Sequence, residues 1–323
     1  MEEQWLQAYT NCRLCPAYCA VNRTIGKKGR CGESDTIRVA WSGLHRGEEP
    51  PVTGEHGSGM IFFSGCPLHC AYCQNFQISG RGDGGSKAVG IAVSIEELAE
   101  MMLQLELLGA SNVNLVTGTH FIPSIVEALK IARRKGFSLD VVWNSSGFES
   151  LEGLSLIDPY IDLYLIDLKT LREEVSATFC GLSLYARIIK DVMAYIKKTH
   201  PRTYLDEREH LKGVLVRHLV FPGTLDASKE VLAFFAEEFK SHWFLSLMVQ
   251  FESPKKDNAF PFISEEEYDS LLLTLEDLEI EDGFVQELGG NVSWIPDFTQ
   301  ENPFPEGFAT PLPYFLDLTR QSS

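Results

Sequence analysis

Six short apolar runs, each followed by a segment with helical periodicity, set the fold class of this 323-residue chain. The runs are continuous rather than alternating, which is typical of parallel strands that are covered on both faces. They predict strands over residues 60–63, 113–116, 139–143, 163–166, 214–220 and 245–249. Six alternations of strand and helix predict an α/β fold, either a parallel βα barrel or a doubly wound sheet, and periodicity alone does not choose between them.

Capping signals predict where several helices begin or end. A serine followed three residues later by a glutamate is a capping box, and a glycine after an apolar stripe is a C-terminal signal. These signals are Ser94 with Glu97, Ser264 with Glu267, Gly136 at the end of a helix over residues 121–135, and Asp226 at the start of a helix to residue 239.

The two ends of the chain differ from this core. Residues 1–57 are rich in Cys, Gly and Arg, and residues 289–323 are rich in proline and in aromatic residues such as Trp294 and Phe304. Because proline breaks helices, we predict that the C-terminal segment is irregular but packed on the core. The chain then divides into a Cys-rich N-terminal metal-binding module (1–57), a core domain (58–288) and a C-terminal extension (289–323).

Three cysteines, Cys66, Cys70 and Cys73, follow the first predicted strand with the spacing C-x3-C-x2-C. Three thiolates on one tight loop are suited to hold three irons of a cubane iron–sulfur cluster, which leaves the fourth iron open for chemistry. The alternatives are a zinc-binding loop or three buried thiols. Zinc sites more often combine a C-x-x-C pair with a second, distant pair.

A second set, Cys12, Cys15, Cys19 and Cys31, lies upstream. Four thiolates complete either a tetrahedral zinc site or a four-cysteine cubane, and a set without metal is the third alternative. Such a closed site is structural or relays electrons. Cys180 stands alone in the sequence and is interpreted as a small buried side chain.

Polar residues follow each predicted strand. In parallel βα folds the ligands bind at the carboxyl ends of the strands, so these residues are expected to line one mouth above the cluster. Each of them alone also has a structural interpretation as a turn, an ion pair or a satisfied histidine. The strand-end residues are Thr117, Gly118, Thr119, His120, Asn144, Ser145, Asp167, Lys169, Arg217 and His218.

Several strings together resemble one family, the radical S-adenosylmethionine (SAM) proteins described as homologues of pyruvate formate-lyase activating enzymes. The proteins of the AmmeMemoRadiSam type are a sibling of that group. The resemblance covers roughly residues 10 to 250. It rests on Glu48-Glu49-Pro50-Pro51, Phe62-Phe63-Ser64-Gly65-Cys66, Cys73-Gln74-Asn75, Thr119-His120, Asn144-Ser145-Ser146-Gly147, Asp167-Leu168-Lys169 and Arg217-His218.

The resemblance implies a partial parallel (β/α)6 barrel over residues 58–288. It also implies a 4Fe–4S cluster whose open iron binds SAM, and Tyr72 packed near the adenine. Thr117, Gly118 and Thr119 match the segment that binds the SAM amino group, where backbone carbonyls are the expected donors. By the same matching, Asn144 and Ser145 lie near the ribose and carboxylate, Asp167 and Lys169 lie beside SAM and substrate, and Arg217 pairs with the carboxylate.

Composition excludes some classes of partner. The net charge of −17 disfavours nucleic acid, which requires clustered cations. No apolar run reaches the length of a membrane span, and the acidic start, Met1 to Trp5, lacks the apolar centre of a signal peptide. Free thiolates and an oxygen-sensitive cluster therefore lead us to expect a cytoplasmic protein.

The expected function is reductive cleavage of SAM followed by hydrogen abstraction from a protein or peptide, with the glycine of a glycyl radical enzyme as one candidate. The alternatives are radical modification of a small metabolite and a non-catalytic iron–sulfur or zinc scaffold. The expected partners are an electron donor such as flavodoxin or ferredoxin and a protein substrate.

Overall fold

A single mixed sheet with helices packed against it forms the fold. The computed structural model describes residues 5–80, 89–252, 254, 263–289 and 295–322. Its strands are β1 (Ile37–His45), β2 (Ser58–Phe63), β3 (Ile91–Val93), β4 (Val113–Val116), β5 (Val141–Ser145), β6 (Leu163–Asp167), β7 (Tyr204–Leu205), β8 (Leu211–Leu219), β9 (Phe244–Met248), β10 (Gly283–Val285) and β11 (Ala309–Pro311).

The helices lie mainly between the strands, as the periodicity predicted. They are α1 (Gln7–Thr10), α2 (Pro50–Thr53), α3 (Ile95–Leu107), α4 (Ile122–Arg134), α5 (Leu151–Ile157), α6 (Glu173–Cys180), α7 (Tyr185–Thr199), α8 (Leu225–Glu238), α9 (Glu265–Asp277) and α10 (Pro313–Ser322). Both capping boxes are present. Asp226 lies in the first turn of α8 and is not its cap, because the helix already begins at Leu225. None of the described helices is long and apolar enough to cross a lipid bilayer.

The sheet is mainly parallel and does not close. Its strand order is β10-β9-β8-β6-β5-β4-β2-β1-β11, and the neighbours from β2 through β10 run parallel. All six predicted strands are among them. The α/β fold class is therefore confirmed, and an unclosed, mainly parallel sheet is compatible with the predicted partial barrel.

The two faces of the sheet carry different clusters. Along β6, Tyr164 and Ile166 join the large core, whereas Leu163 and Leu165 join a smaller cluster that also contains Val52 of α2. Side chains alternate between the two faces along a strand. Residues that pair with Leu165 on neighbouring strands therefore lie on the face of the smaller cluster. The N-terminal segment thus covers part of the face that lies opposite the main core.

Strand β1 was not predicted, although all nine of its residues are buried. Its sequence includes Arg38 and His45, which interrupt the apolar pattern. Arg38 is tolerated there because it pairs with Glu33 at 3.2 Å and donates to the Gly90 carbonyl at 2.8 Å. β1 runs antiparallel to β2, so the sheet continues across the predicted boundary after residue 57.

The C-terminal extension is more regular than predicted. It contributes β11, which pairs with β1, and the helix α10. Pro313 is the first residue of α10, where its missing N–H costs no hydrogen bond. As predicted, aromatic side chains hold this segment on the core, since Phe304 lies 4.9 Å from Trp41 between ring centroids. Trp294 lies outside the described residues.

Candidate active site

The three cysteines of the triplet lie on one loop at the carboxyl end of β2. Backbone hydrogen bonds hold this loop at two points. The Gly65 N–H donates to the Ile78 carbonyl at 2.7 Å, and the Ala71 N–H donates to the Phe179 carbonyl at 2.8 Å. All three side chains are half-buried free thiols; they are Cys66, Cys70 and Cys73. The loop therefore presents three soft ligands at the edge where parallel βα folds bind their ligands.

Burial and the charge of Lys169 act in opposite directions on the thiols of the loop. Burial raises the pKa of Cys66 to about 11 and that of Cys73 to about 12. A hydrogen bond from Cys180 outweighs burial at Cys70 and lowers its pKa to about 7. The charge of Lys169 favours the thiolate at all three positions. Three thiolates beside a buried cation are the donor set that a cubane with one open iron requires.

Lys169 and Asp167 of the predicted site lie beside this loop. The ammonium of Lys169 is 2.6 Å from the Asp167 carboxylate and 5.6 Å from the centroid of the Tyr72 ring. Burial disfavours the Lys169 cation, but the charges of Asp167 and Cys70 outweigh it and hold its pKa well above the usual value. The Lys169 N–H also donates to the Tyr185 hydroxyl at 3.1 Å, which fixes the backbone at the end of β6.

Tyr72 belongs to an aromatic cluster that the sequence did not reveal. Its ring centroid lies 4.8 Å from that of Phe221 and 5.6 Å from that of Phe251. Phe179 stacks on Phe221 at 4.5 Å. These rings come from distant parts of the chain, so no local pattern marks them. They form an apolar wall beside the cysteine loop, next to the place predicted for the adenine.

The end of β4 has an unusual backbone. Thr117 has a φ of 58°, although it is a β-branched residue, and its N–H donates to the Asn144 carbonyl at 2.9 Å. Strain of this kind is concentrated at functional sites. A Cβ on Gly118 would lie 2.7 Å from Ile125 and 2.9 Å from the Trp143 ring, so only glycine fits there. Both findings agree with a segment that acts through its backbone.

Glu149 is a buried carboxylate that sequence reasoning missed. It accepts a hydrogen bond from the Thr119 hydroxyl at 2.7 Å and another from the Ser145 hydroxyl. Burial raises its pKa. The side chains of Thr119 and Ser145 are thus engaged with Glu149. Asn144 alternates with Ser145 and shares the face of the smaller cluster.

Arg217 has partners other than the one predicted. Its guanidinium bonds to Glu49, with Nε 3.0 Å from Oε1, and to Glu48, with Nη2 2.7 Å from Oε2. Burial acts to raise the pKa of Glu48, but Arg217 and His45 outweigh it and lower the pKa to about 2. Two carboxylates of the N-terminal segment therefore hold Arg217, and its pairing with the SAM carboxylate stays a prediction.

Each of the two strand-end histidines contacts a backbone carbonyl. His120 contacts the Ser64 carbonyl at 2.7 Å, and His218 contacts the Leu168 carbonyl at 2.8 Å. Burial lowers the pKa of His120 to about 3 and that of His218 to about 4, so both rings are neutral near pH 7. Each fixes the backbone at the end of a strand.

The four N-terminal cysteines are free thiols that lie close enough to influence one another electrostatically. Burial raises the pKa of Cys15 to about 12, and the charges of the other three cysteines of the set add to this effect. The Arg30 N–H donates to the Cys19 sulfur at 3.1 Å. The members of the set are Cys12, Cys15, Cys19 and Cys31.

The chain is similar to several known proteins. The uncharacterized protein MJ0674 of Methanocaldococcus jannaschii is 29% identical over 272 residues, which cover 84% of this chain and 73% of that protein. The structure of Streptococcus suis SuiB bound to precursor peptide SuiA matches with a TM-score of 0.47 at 11% identity, over 69% of this chain and 47% of that one. The chain thus spans about half the length of the SuiB chain.

A domain of pyruvate-formate lyase-activating enzyme from Bacteroides vulgatus matches with a TM-score of 0.38 at 15% identity, over 51% of this chain and 91% of that one. The family model of the radical SAM superfamily matches residues 60–236, which is more than half of the chain. This match begins in β2, includes the cysteine loop and the ends of β4, β5, β6 and β8, and stops in α8. The chain therefore belongs to the radical SAM superfamily.

Proposed function

We propose that this protein cleaves SAM reductively and abstracts a hydrogen atom from a protein or peptide. The observation that carries the proposal is the loop of Cys66, Cys70 and Cys73 at the carboxyl end of β2, with Lys169 beside it. When bound, a 4Fe–4S cluster and SAM supply one-electron cleavage to methionine and a 5'-deoxyadenosyl radical.

The residues of the chain hold and orient these groups. Cys66, Cys70 and Cys73 would bind three irons. Lys169, held by Asp167 at 2.6 Å, would pair with the methionine carboxylate as a compact cation. The aromatic wall that includes Tyr72 would pack against the adenine and exclude water. The backbone carbonyls at Thr117 and Gly118 would accept hydrogen bonds from the SAM amino group.

A protein or peptide substrate is compatible with the unclosed sheet. The most specific form of the proposal is activation of a glycyl radical enzyme, in which a glycine Cα–H is the hydrogen donor. Reduced flavodoxin or ferredoxin would supply the electron, and the cytoplasm is the compartment that suits such a cluster. The N-terminal cysteines would hold a second metal, either zinc or a cluster.

A deuterium-transfer experiment tests the substrate class. Proteins that co-purify under anaerobic conditions are prepared in deuterated form and incubated with the reconstituted protein, SAM and reductant. Deuterium in 5'-deoxyadenosine, together with a glycyl radical signal on the partner in electron paramagnetic resonance, supports the proposal. Deuterium transfer only from the small-molecule fraction favours metabolite modification, and a bound cluster without any SAM cleavage favours a scaffold.

Lys169→Met is expected to weaken SAM binding by about 10- to 100-fold while the brown cluster is retained. The reason is the loss of a charge-assisted hydrogen bond, worth about 1.5–3 kcal/mol. SAM titration monitored by the change in the spectrum of the reduced cluster measures the affinity. The matched control is Lys130→Met, because Lys130 lies on α4 and pairs with Glu127 at the surface. Equal SAM affinity in both variants would mean that Lys169 pairs with Asp167 and does not contribute to SAM binding.

A further inference from the structure

A fully buried arginine, Arg23, lies beside two of the four N-terminal cysteines, Cys12 and Cys31. Its Nη1 lies 3.7 Å from the Cys12 sulfur and donates to the His120 carbonyl at 2.6 Å. Its Nε donates to the Ser34 carbonyl at 3.1 Å, and the guanidinium stacks 4.6 Å from the centroid of Tyr9. The hydrogen bonds of Arg23 are thus made mostly to neutral groups.

A buried cation requires a compensating anion. Within the described ranges, no carboxylate oxygen lies within 4.0 Å of the Arg23 guanidinium, because no salt bridge involves it. Glu33 lies nearby, but it is bonded to Arg38 at 3.2 Å. The groups beside Arg23 that can become anionic are the sulfurs of Cys12 and Cys31 and the hydroxyl of Tyr9. A metal–thiolate centre supplies that negative charge, since metal-bound cysteines are deprotonated.

The sulfurs of the N-terminal set are farther apart than those of a tetrahedral zinc site. Zn–S bonds of about 2.3 Å put the sulfurs of a tetrahedral site about 3.8 Å apart. Over residues 5–80, no three of the sulfurs of Cys12, Cys15, Cys19 and Cys31 lie within 4.8 Å of one another. The same is true of Cys66, Cys70 and Cys73. A cubane spreads its cysteines more widely, because each sulfur binds a different iron.

The N-terminal set is packed directly against the loop of the triplet. A Cβ on Gly65 would lie 2.7 Å from the Cys31 carbonyl, so Cys31 and the residue before Cys66 are in contact. The Arg30 Nε donates to the Pro67 carbonyl at 2.8 Å, and the His69 ring lies 2.7 Å from the Arg30 carbonyl. The two cysteine sets therefore share one continuous hydrogen-bonded contact.

We propose that Cys12, Cys15, Cys19 and Cys31 bind a second 4Fe–4S cluster, with Arg23 as its buried counter-cation, and that this cluster is where electrons enter. Reduced flavodoxin or ferredoxin would give up one electron to it and become oxidised. The cluster would pass that electron to the first cluster, which uses it to break a C–S bond of SAM. The last step rests on the proposed function, whereas the identity of the metal does not.

Iron and zinc analysis tests the second cluster independently of SAM cleavage. Anaerobically reconstituted wild type should contain about eight irons, and the triple variant Cys66→Ala/Cys70→Ala/Cys73→Ala should retain about four. The signal of those four irons in electron paramagnetic resonance should not respond to SAM. A triple variant with about one zinc and no iron, or with no metal at all, would overturn the proposal.

Arg23→Met tests the role of the counter-cation. We expect this variant to lose the second cluster or to shift its reduction potential to a more negative value, because a cation stabilises the reduced form. Arg13→Met is the matched control, since Arg13 is exposed in the same segment. A second cluster with the same potential in wild type and both variants would contradict the role assigned to Arg23.

The entry of electrons is tested with two reductants. In Cys15→Ser, cleavage of SAM driven by reduced flavodoxin or ferredoxin should be lost, whereas cleavage driven by dithionite, a small reductant, should persist. If both reductants drive SAM cleavage by Cys15→Ser as well as by wild type, electrons do not enter through the second cluster. If neither reductant supports wild type, the proposed function fails, but the iron content still decides the identity of the metal.

Discussion

Replacement of Cys66, Cys70 or Cys73 by alanine is expected to abolish SAM cleavage. Each thiolate holds one iron of the proposed cluster, and the loop offers no other thiol to replace it. Cys180 hydrogen-bonds to Cys70 but lies at the end of α6, outside the loop. The measurement is the amount of 5'-deoxyadenosine formed by each anaerobically reconstituted variant in the presence of SAM and dithionite.

Cys180→Ser is the matched control for the triplet. It changes a buried cysteine beside the site but keeps a hydrogen-bond donor for Cys70 and all three ligands. It should still assemble the cluster and form 5'-deoxyadenosine. Normal cleavage by any one of the three alanine variants would show that the triplet does not hold the catalytic cluster.

Arg217→Met is expected to destabilise the folded protein by about 3–5 kcal/mol, the usual cost of leaving a buried ion pair without one partner. Arg217 has a side chain that is 11% exposed, and its partners Glu48 and Glu49 are 9% and 10% exposed. The variant leaves two adjacent buried carboxylates without a cation. Chemical denaturation at pH 7 measures the change in the free energy of unfolding. Arg172→Met, which removes a surface pair with Glu230, should have little effect.

The destabilisation by Arg217→Met should shrink as the pH falls. In wild type the pKa of Glu48 is lowered from 4.5 to about 2, so its stabilising contribution is present above about pH 4.5 and is lost as the pH falls towards 2. In the variant, burial without Arg217 raises this pKa, so protonation at mildly acidic pH relieves the cost. A difference between wild type and variant that does not change between pH 7 and pH 4.5 would contradict this account of the cluster.

The sequence predicted those features of the fold that depend on local pattern. The six parallel strands were predicted because residues such as Val113 to Val116 form continuous apolar runs. Strand β1 was missed because Arg38 and His45 are buried by specific partners rather than by apolar neighbours. The proline-rich C-terminal segment was predicted to be irregular, although Pro313 at the first position of α10 is compatible with a helix.

The candidate site was predictable only in part, for a similar reason. The spacing of Cys66, Cys70 and Cys73 identified the loop, since one loop carries all three. Arg217 and Glu49 are 168 residues apart, and no local pattern reveals that they pair. Likewise, only the fold brings Cys180 to Cys70. Contacts between distant segments depend on how the strands assemble, which periodicity does not encode.

Reductive cleavage of SAM by the wild-type protein tests the central claim most directly. The protein is reconstituted anaerobically with iron and sulfide, mixed with SAM and dithionite, and analysed for 5'-deoxyadenosine and methionine by chromatography and mass spectrometry. We predict that both products form in equal amounts, and only when the cluster on Cys66, Cys70 and Cys73 is present. A fully loaded cluster that binds SAM but yields neither product would contradict the account.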